Sequence, residues 1–132
     1  PRRQFILEES IDFKELTVPI LHGRCLPAVE INTSESFYNF NAKYVNEDTQ
    51  LSELMLSKDE KNKLKQICLR TLDVMGCKGW LRVDLLQDRN SNFFVLEVNT
   101  VPGMTSHSLF PKSAESIGLS YNDLVQEIIH AK

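Results

Sequence analysis

Four residues in one stretch of this chain have types and spacing suited to chemistry on a charged, phosphate-like group. Arg82 and Asp84 lie in Trp80-Leu81-Arg82-Val83-Asp84-Leu85, and Glu97 and Asn99 lie in Phe94-Val95-Leu96-Glu97-Val98-Asn99. Side chains alternate faces along a strand. Arg82 and Asp84 therefore share one face of a first strand, opposite Leu81, Val83 and Leu85. Glu97 and Asn99 share one face of a second, opposite Phe94, Leu96 and Val98. Asp88-Arg89-Asn90-Ser91 between them is a turn composition, which predicts a hairpin. Paired strands lie about 4.8 Å apart, so strands in register bring Asp84, Glu97 and Asn99 together. These are hard oxygen donors without Cys or His, a set that suits Mg²⁺ or Mn²⁺ and disfavours zinc. A cation such as Arg82 beside them is useful where negative charge develops next to a metal. The same alternation also describes a plain solvated face.

The segment after the second strand favours the chemical reading. Thr100-Val101-Pro102-Gly103-Met104-Thr105-Ser106-His107-Ser108-Leu109 is a small-residue loop. Such a loop at a strand end can offer backbone N–H groups to an anion. It holds neither GxGxxG nor GxxxxGK[ST], so the common phosphate loops are absent.

The elements that must position these groups are legible in outline. Gln4 to Glu9, Glu15 to Leu21 and Cys25 to Ile31 read as strands, with His22-Gly23-Arg24 as a tight turn. Pro19 and Pro27 predict edge positions or bulges. Asn32 to Asp48 reads as a long polar loop carrying Phe37, Tyr38, Phe40 and Tyr44. Lys58 to Met75 is the clearest helix, with Leu64, Ile67, Cys68, Leu72 and Met75 on one stripe. Ser57 and Glu60 form a capping box, and Gly76 is placed to end the helix. The hairpin strands are expected at Gly79 to Gln87 and Asn92 to Asn99, followed by short helices near Pro111 to Gly118 and after Ser120. The whole is α+β: a largely antiparallel sheet with helices packed on one face.

Composition limits the remaining classes. Fifteen Lys+Arg against eighteen Asp+Glu gives a net charge of −3, which argues against a nucleic-acid binder. At 42% hydrophobic and 25% charged residues, the chain is neither disordered nor collagen-like. No apolar run is long enough for a membrane span. The three cysteines form no CxxC pair, which suits free thiols in a cytosolic, hence cytoplasmic, protein. The chain begins at Pro1 without a signal-peptide pattern, which reads as a segment of a longer protein.

The motifs named above resemble those of the D-alanine–D-alanine ligases of the ATP-grasp superfamily. Gly76-Cys77-Lys78-Gly79-Trp80-Leu81-Arg82-Val83-Asp84 is similar to that family's G-x-x-G-x-x-R-x-D strand. Leu96-Glu97-Val98-Asn99-Thr100-Val101-Pro102-Gly103-Met104-Thr105 is similar to its L-E-x-N-T-x-P-G-M-T strand and loop. Ser106 to Leu109 and Ala42-Lys43-Tyr44 extend the likeness, which runs from about Phe5 to the final helix. The resemblance implies that Asp84 and Glu97 hold one Mg²⁺ (or Mn²⁺) and that Glu97 and Asn99 hold a second. It implies that ATP phosphorylates a first D-alanine to an acyl phosphate, which the amine of a second D-alanine attacks. Arg82 and the Gly103 N–H would stabilise the tetrahedral oxyanion. Ser108 and the backbone of Leu109 would hold the second D-alanine's carboxylate. Glu8 would accept from the adenine amine, backbone groups from Glu9 to Ile11 would read the adenine edge, and Glu15 would accept from the ribose hydroxyls. Lys43 would contact the phosphates and Phe37 would cover the adenine. On residue type alone, Glu8 and Glu15 also read as surface strand carboxylates, Lys43 as a solvated lysine, Phe37 as a core aromatic and Ser108 as a loop hydroxyl.

Two positions depart from the family pattern. Phe13 stands where the family has Gly in G-x-E ahead of the ribose-binding acid. Leu51-Ser52-Glu53-Leu54-Met55-Leu56 replaces an aromatic followed by Pro-Ala, in a loop that closes over the family's site. The resemblance makes residues 1–132 the C-terminal part of an ATP-grasp ligase of cell-wall precursor (peptidoglycan) synthesis. The N-terminal substrate domain and the central phosphate-loop domain are then missing partners, and the chain alone is inactive. The family is commonly dimeric. The rival readings are a ligase using D-lactate or D-serine second, and a non-catalytic nucleotide- or metal-binding domain.

Overall fold

The computed structural model describes residues 5–11, 14–32 and 50–130. The elements are β1 (Lys14–Leu21), β2 (Arg24–Cys25), β3 (Val29–Asn32), β4 (Gln50–Glu53), α1 (Lys58–Met75), β5 (Trp80–Gln87), β6 (Phe93–Asn99), α2 (Leu109–Glu115) and α3 (Tyr121–Ile129). All strand pairs are antiparallel, in the order β4-β3-β1-β5-β6, with β2 also paired to β1. The α+β class and the antiparallel sheet are as the sequence predicts.

The long pairing is β1 with β5, running from Lys14 opposite Gln87 to Leu21 opposite Trp80. Both strands are rich in β-branched and aliphatic residues, and both are buried along most of their length. On one face Leu16, Val18, Ile20, Leu81, Val83 and Leu85 meet Leu64, Cys68 and Leu72 of α1. Of the predicted stripe Leu64, Cys68 and Leu72 are buried and Ile67 packs at their margin, but Met75, in the last turn beyond the sheet's cover, is 61% exposed; the helix ends are as predicted. Ser57 and Glu60 form the reciprocal capping box, and Gly76 takes the left-handed conformation at φ 64° that only glycine adopts without cost. At one end of the sheet, Leu21 and Leu26 pack with Phe110 and Ala114 of α2 and Leu124 of α3. Trp80 meets Phe110 edge-on there, with ring centroids 5.8 Å apart. Ser120 caps α3 through the Asp123 N–H.

Several sequence expectations change. The apolar pattern predicts a strand over Gln4 to Glu9, but residues 5–11 form no strand, and Phe5, Ile6 and Leu7 are 86%, 88% and 99% exposed. An apolar triplet becomes a strand only where a neighbour accepts its backbone hydrogen bonds, and none does so among the described residues. Cys25 to Ile31 is interrupted: Leu26-Pro27-Ala28 leaves the sheet between β2 and β3. Pro19 is not on an edge strand but inside β1, flanked by β5 on one side. On the other side β3 pairs with Leu16 and Thr17, β2 with Ile20 and Leu21, and Pro19 fills the gap between them. Its carbonyl accepts the Leu26 N–H at 2.9 Å, so its missing N–H faces that gap and costs no ladder bond. Gln50–Glu53, which overlaps the first half of the departure from the family pattern, is strand β4 against β3.

The hairpin contains the most informative change. β6 does not alternate cleanly. Asp84 faces Glu97, but Leu85 faces Val95, so Leu96 is an extra residue in the ladder. This bulge reverses the phase of β6. Phe93, rather than Phe94, enters the core with Val98, while Phe94 and Leu96 are 41% and 50% exposed. The expectation that Phe94, Leu96 and Val98 share a core face therefore holds only for Val98.

Candidate active site

The β5–β6 register sets Asp84 directly opposite Glu97 and Arg82 directly opposite Asn99. All four share the face turned away from α1, as alternation predicts. The bulge begins one residue beyond Glu97, so the strand reaches the carboxylates in phase whatever its other end does.

Asp84 is 1% exposed and Arg82 8%. The Arg82 guanidinium grips the carboxylate at two points, Nε to Oδ1 and Nη2 to Oδ2, both at 2.8 Å. Thr17 of β1 donates its hydroxyl to Oδ1 at 2.6 Å. A buried carboxylate without such partners would cost several kcal/mol, and here the guanidinium and the hydroxyl supply them. Nothing in the sequence near Thr17 marks it; only the β1–β5 register, Thr17 opposite Asp84, brings it in. Glu97 is exposed and Asn99 half-buried. The Asn99 side-chain oxygen accepts the Val101 N–H at 3.3 Å, which turns the chain into the following loop.

That loop is built tightly. An added Cβ on Gly103 would lie 3.0 Å from the Ser108 Oγ, so a glycine is what lets the two segments approach. The Ser108 hydroxyl accepts the Thr105 N–H at 3.0 Å and shares a hydrogen bond with the Thr105 hydroxyl at 2.8 Å. Tyr121 of α3 donates to the Met104 carbonyl at 2.7 Å. Ser108 precedes Leu109 at the start of α2 and gives that helix no side-chain cap, so its hydroxyl serves the loop. Tyr121 is a second positioning residue the sequence did not reveal.

The remaining predicted residues are placed less closely. Glu15 lies on β1 opposite Leu86, on the same face as Thr17 and two residues from it, which is about 7 Å along a strand. Glu8 and Glu9 are exposed and Ile11 half-buried in the segment outside the sheet. Phe37 and Lys43, with Phe13 and Ala42-Lys43-Tyr44, lie outside the described residues.

Among the described residues no three His, Cys, Asp or Glu side chains gather as a metal cluster. The site offers two carboxylates and a carboxamide instead. Asp84 Oδ2 takes one hydrogen bond while Oδ1 takes two, so Oδ2 keeps a lone pair free for a cation. As hard oxygens on adjacent strands, Asp84, Glu97 and Asn99 fit Mg²⁺ or Mn²⁺ by donor type.

A carboxylate-bearing antiparallel hairpin, a tight small-residue loop at its end and a helix behind the sheet define the C-terminal part of an ATP-grasp fold. Comparison with known proteins gives the family. The family described as "D-ala D-ala ligase C-terminus" matches residues 2–130, and the chain belongs to that family. It is 46% identical over 125 residues to the D-alanine–D-alanine ligase of Actinobacillus succinogenes, covering 94% of this chain and 41% of that protein. It is 45% identical to the ligase of Saccharophagus degradans, covering 94% of this chain and 40% of that protein. The solved ATP complex of the Bacillus anthracis ligase superposes with a TM-score of 0.79 at 31% identity, over 92% of this chain and 38% of that one. The Coxiella burnetii ligase gives 0.75 at 26% identity, over 92% and 32%. The chain thus spans about two fifths of the length of the relatives it matches.

Proposed function

We propose that residues 1–132 are the C-terminal part of an ATP-dependent D-alanine–D-alanine ligase. The carrying observation is the β5–β6 register, which pairs Asp84 with Glu97 and Arg82 with Asn99 beside the Gly103–Ser108 loop. In this reading Asp84 and Glu97, and Glu97 and Asn99, hold two divalent cations. Bound there, such ions would supply positive charge against the triphosphate of ATP during transfer of the γ-phosphoryl group to the first D-alanine's carboxylate. The chain's own groups act next. The amine of the second D-alanine attacks the acyl phosphate, and Arg82 with the Gly103 N–H stabilises the oxyanion that forms. Arg82 is already held rigid by Asp84, so little reorganisation is needed when charge develops. Ser108 and the Leu109 backbone hold the second substrate's carboxylate, and Thr105 fixes the Ser108 hydroxyl. Glu15 takes the ribose, Glu8 and the Glu9–Ile11 backbone take the adenine, and Lys43 and Phe37 complete the nucleotide site.

The first-substrate site and the rest of the phosphate grip belong to N-terminal and central domains of the same protein. The 132-residue chain alone is therefore expected to be inactive, and robust dipeptide synthesis by it would overturn that part. The central test is ATP- and D-alanine-dependent phosphate release by the full-length protein. Glu97→Gln should reduce it to background while leaving the fold intact by circular dichroism. An unchanged rate would remove the cation assignment. Product analysis with D-lactate and D-serine in competition identifies the second substrate.

A further inference from the structure

The Gly103–Ser108 loop is held from α3 as well as from within. Tyr121 is the first residue of α3, and its hydroxyl donates to the Met104 carbonyl at 2.7 Å. A carbonyl only accepts, so the direction of this bond is fixed. Helix α3 is a firm base for it. Leu124 is fully buried with Phe110 and Ala114 of α2, and Met104 packs at the margin of the same cluster. The Ser120 hydroxyl caps the helix start by accepting the Asp123 N–H at 3.2 Å. The Met104 carbonyl and the Thr105 N–H are the two ends of one peptide unit. That unit is trans and planar, so its ends point in opposite directions and turn together. Tyr121 holds one end, and the Ser108 hydroxyl accepts from the other at 3.0 Å. The Ser108 N–H closes the turn on the Thr105 carbonyl at 2.9 Å.

We propose, on the reading that Ser108 holds the second D-alanine's carboxylate, that Tyr121 is a positioning residue for that substrate, setting the direction of the Ser108 hydroxyl through the Met104–Thr105 peptide. The Thr105 and Ser108 hydroxyls are 2.8 Å apart, and either can donate to the other. A carboxylate only accepts, so its arrival decides the direction. Ser108 then gives its one hydrogen to the carboxylate, while its oxygen accepts from both the N–H and the hydroxyl of Thr105. Those two accepted bonds leave the Ser108 hydrogen a single outward direction. Without the Tyr121 hydroxyl the peptide unit is free to turn, the Thr105 N–H leaves Ser108, and the donated hydrogen loses its aim. Binding of the second substrate weakens. The cation-binding groups Asp84, Glu97 and Asn99 are set by the β5–β6 register and not by this bond. D-Alanine, D-serine and D-lactate carry the same carboxylate, so the loss should be the same factor for each.

The test is steady-state kinetics of the full-length protein carrying Tyr121→Phe, which keeps the ring and removes only the hydroxyl. Tyr121 is 47% exposed, so the substitution leaves the packing of α3 in place. The KM for D-alanine at the second position should rise about two- to tenfold, the worth of one hydrogen bond. The kcat and the KM values for ATP and the first D-alanine should stay unchanged, the pattern of lost uniform binding. In a Ser108→Ala background Tyr121→Phe should add nothing, because the hydroxyl it positions is gone. An unchanged second-position KM, an equal loss toward ATP and D-alanine, or the same factor with and without the Ser108 hydroxyl would each overturn the proposal. A wild-type protein that makes no D-alanyl-D-alanine removes the ligase reading and the proposal together, whereas an active wild type with an unaltered variant removes the proposal alone.

Discussion

Asp84 draws its three hydrogen bonds from two side chains of its own sheet, Arg82 and Thr17. Removing one partner leaves a charge almost wholly buried. Arg82→Met should therefore lower stability by about 3–5 kcal/mol, the usual cost of breaking a buried pair from one side. Adding Asp84→Leu to it should recover more than half of that loss, because no uncompensated charge remains. Denaturant unfolding of the two variants measures both numbers, and equal losses would show that the stranded carboxylate is not what makes Arg82→Met costly. The residue scale also shows what sequence reasoning reaches. Arg82, Asp84, Glu97 and Asn99 were legible because strand alternation and a short turn are local. Thr17 was not, since its bond to Asp84 spans 67 positions and depends on which distant strands pair. Leu96 was not either. In Phe93-Phe94-Val95-Leu96 any residue is apolar enough to be the one displaced, and only packing against β5 decides it.

Helix α1 is tied at its start to the far end of the hairpin. The Glu60 carboxylate accepts from the Ser57 hydroxyl at 2.7 Å and its N–H at 2.9 Å, from the Ser91 hydroxyl at 2.7 Å and from the Gln87 amide at 2.9 Å. These bonds, the Ser57 hydroxyl first, hold its pKa down at about 2. A carboxylate depressed in the folded state adds stability above its unfolded value of about 4.3, and that stability is lost as pH falls toward the folded value. Acidification from about pH 5 to about pH 2 should thus destabilise the native chain more than Glu60→Gln. Their melting temperatures should converge toward the acid end, and a constant gap would place Glu60's role elsewhere. The capping box was legible because Ser57 and Glu60 are three residues apart, whereas Gln87 and Ser91 enter only through tertiary packing. The reverse holds for Phe5-Ile6-Leu7, whose local pattern favours a strand but which has no neighbour to pair with among the described residues.

At the level of the whole molecule, β6 is the last strand of the sheet among the described residues, and it carries Phe94, Val95 and Leu96 at 41%, 39% and 50% exposed. An edge strand with apolar side chains on its surface invites pairing with a second copy. The isolated 132-residue chain should therefore self-associate with rising concentration, and Leu96→Lys should suppress this in sedimentation velocity. Monomeric behaviour of the unsubstituted chain at high concentration would mean that the bulge protects the edge unaided. The other side of the sheet carries a different consequence, set by Pro19. β5 pairs with the full length of β1, but β3 and β2 each hold only two residues of it and share no strand pairing across the proline. In amide hydrogen exchange the β1–β5 ladder should be slowest. The β3–β4 arm and the β2 turn should then surrender their protons as two separate units with different opening free energies. The proline would act as a firebreak, stopping local unfolding on one side from spreading to the other.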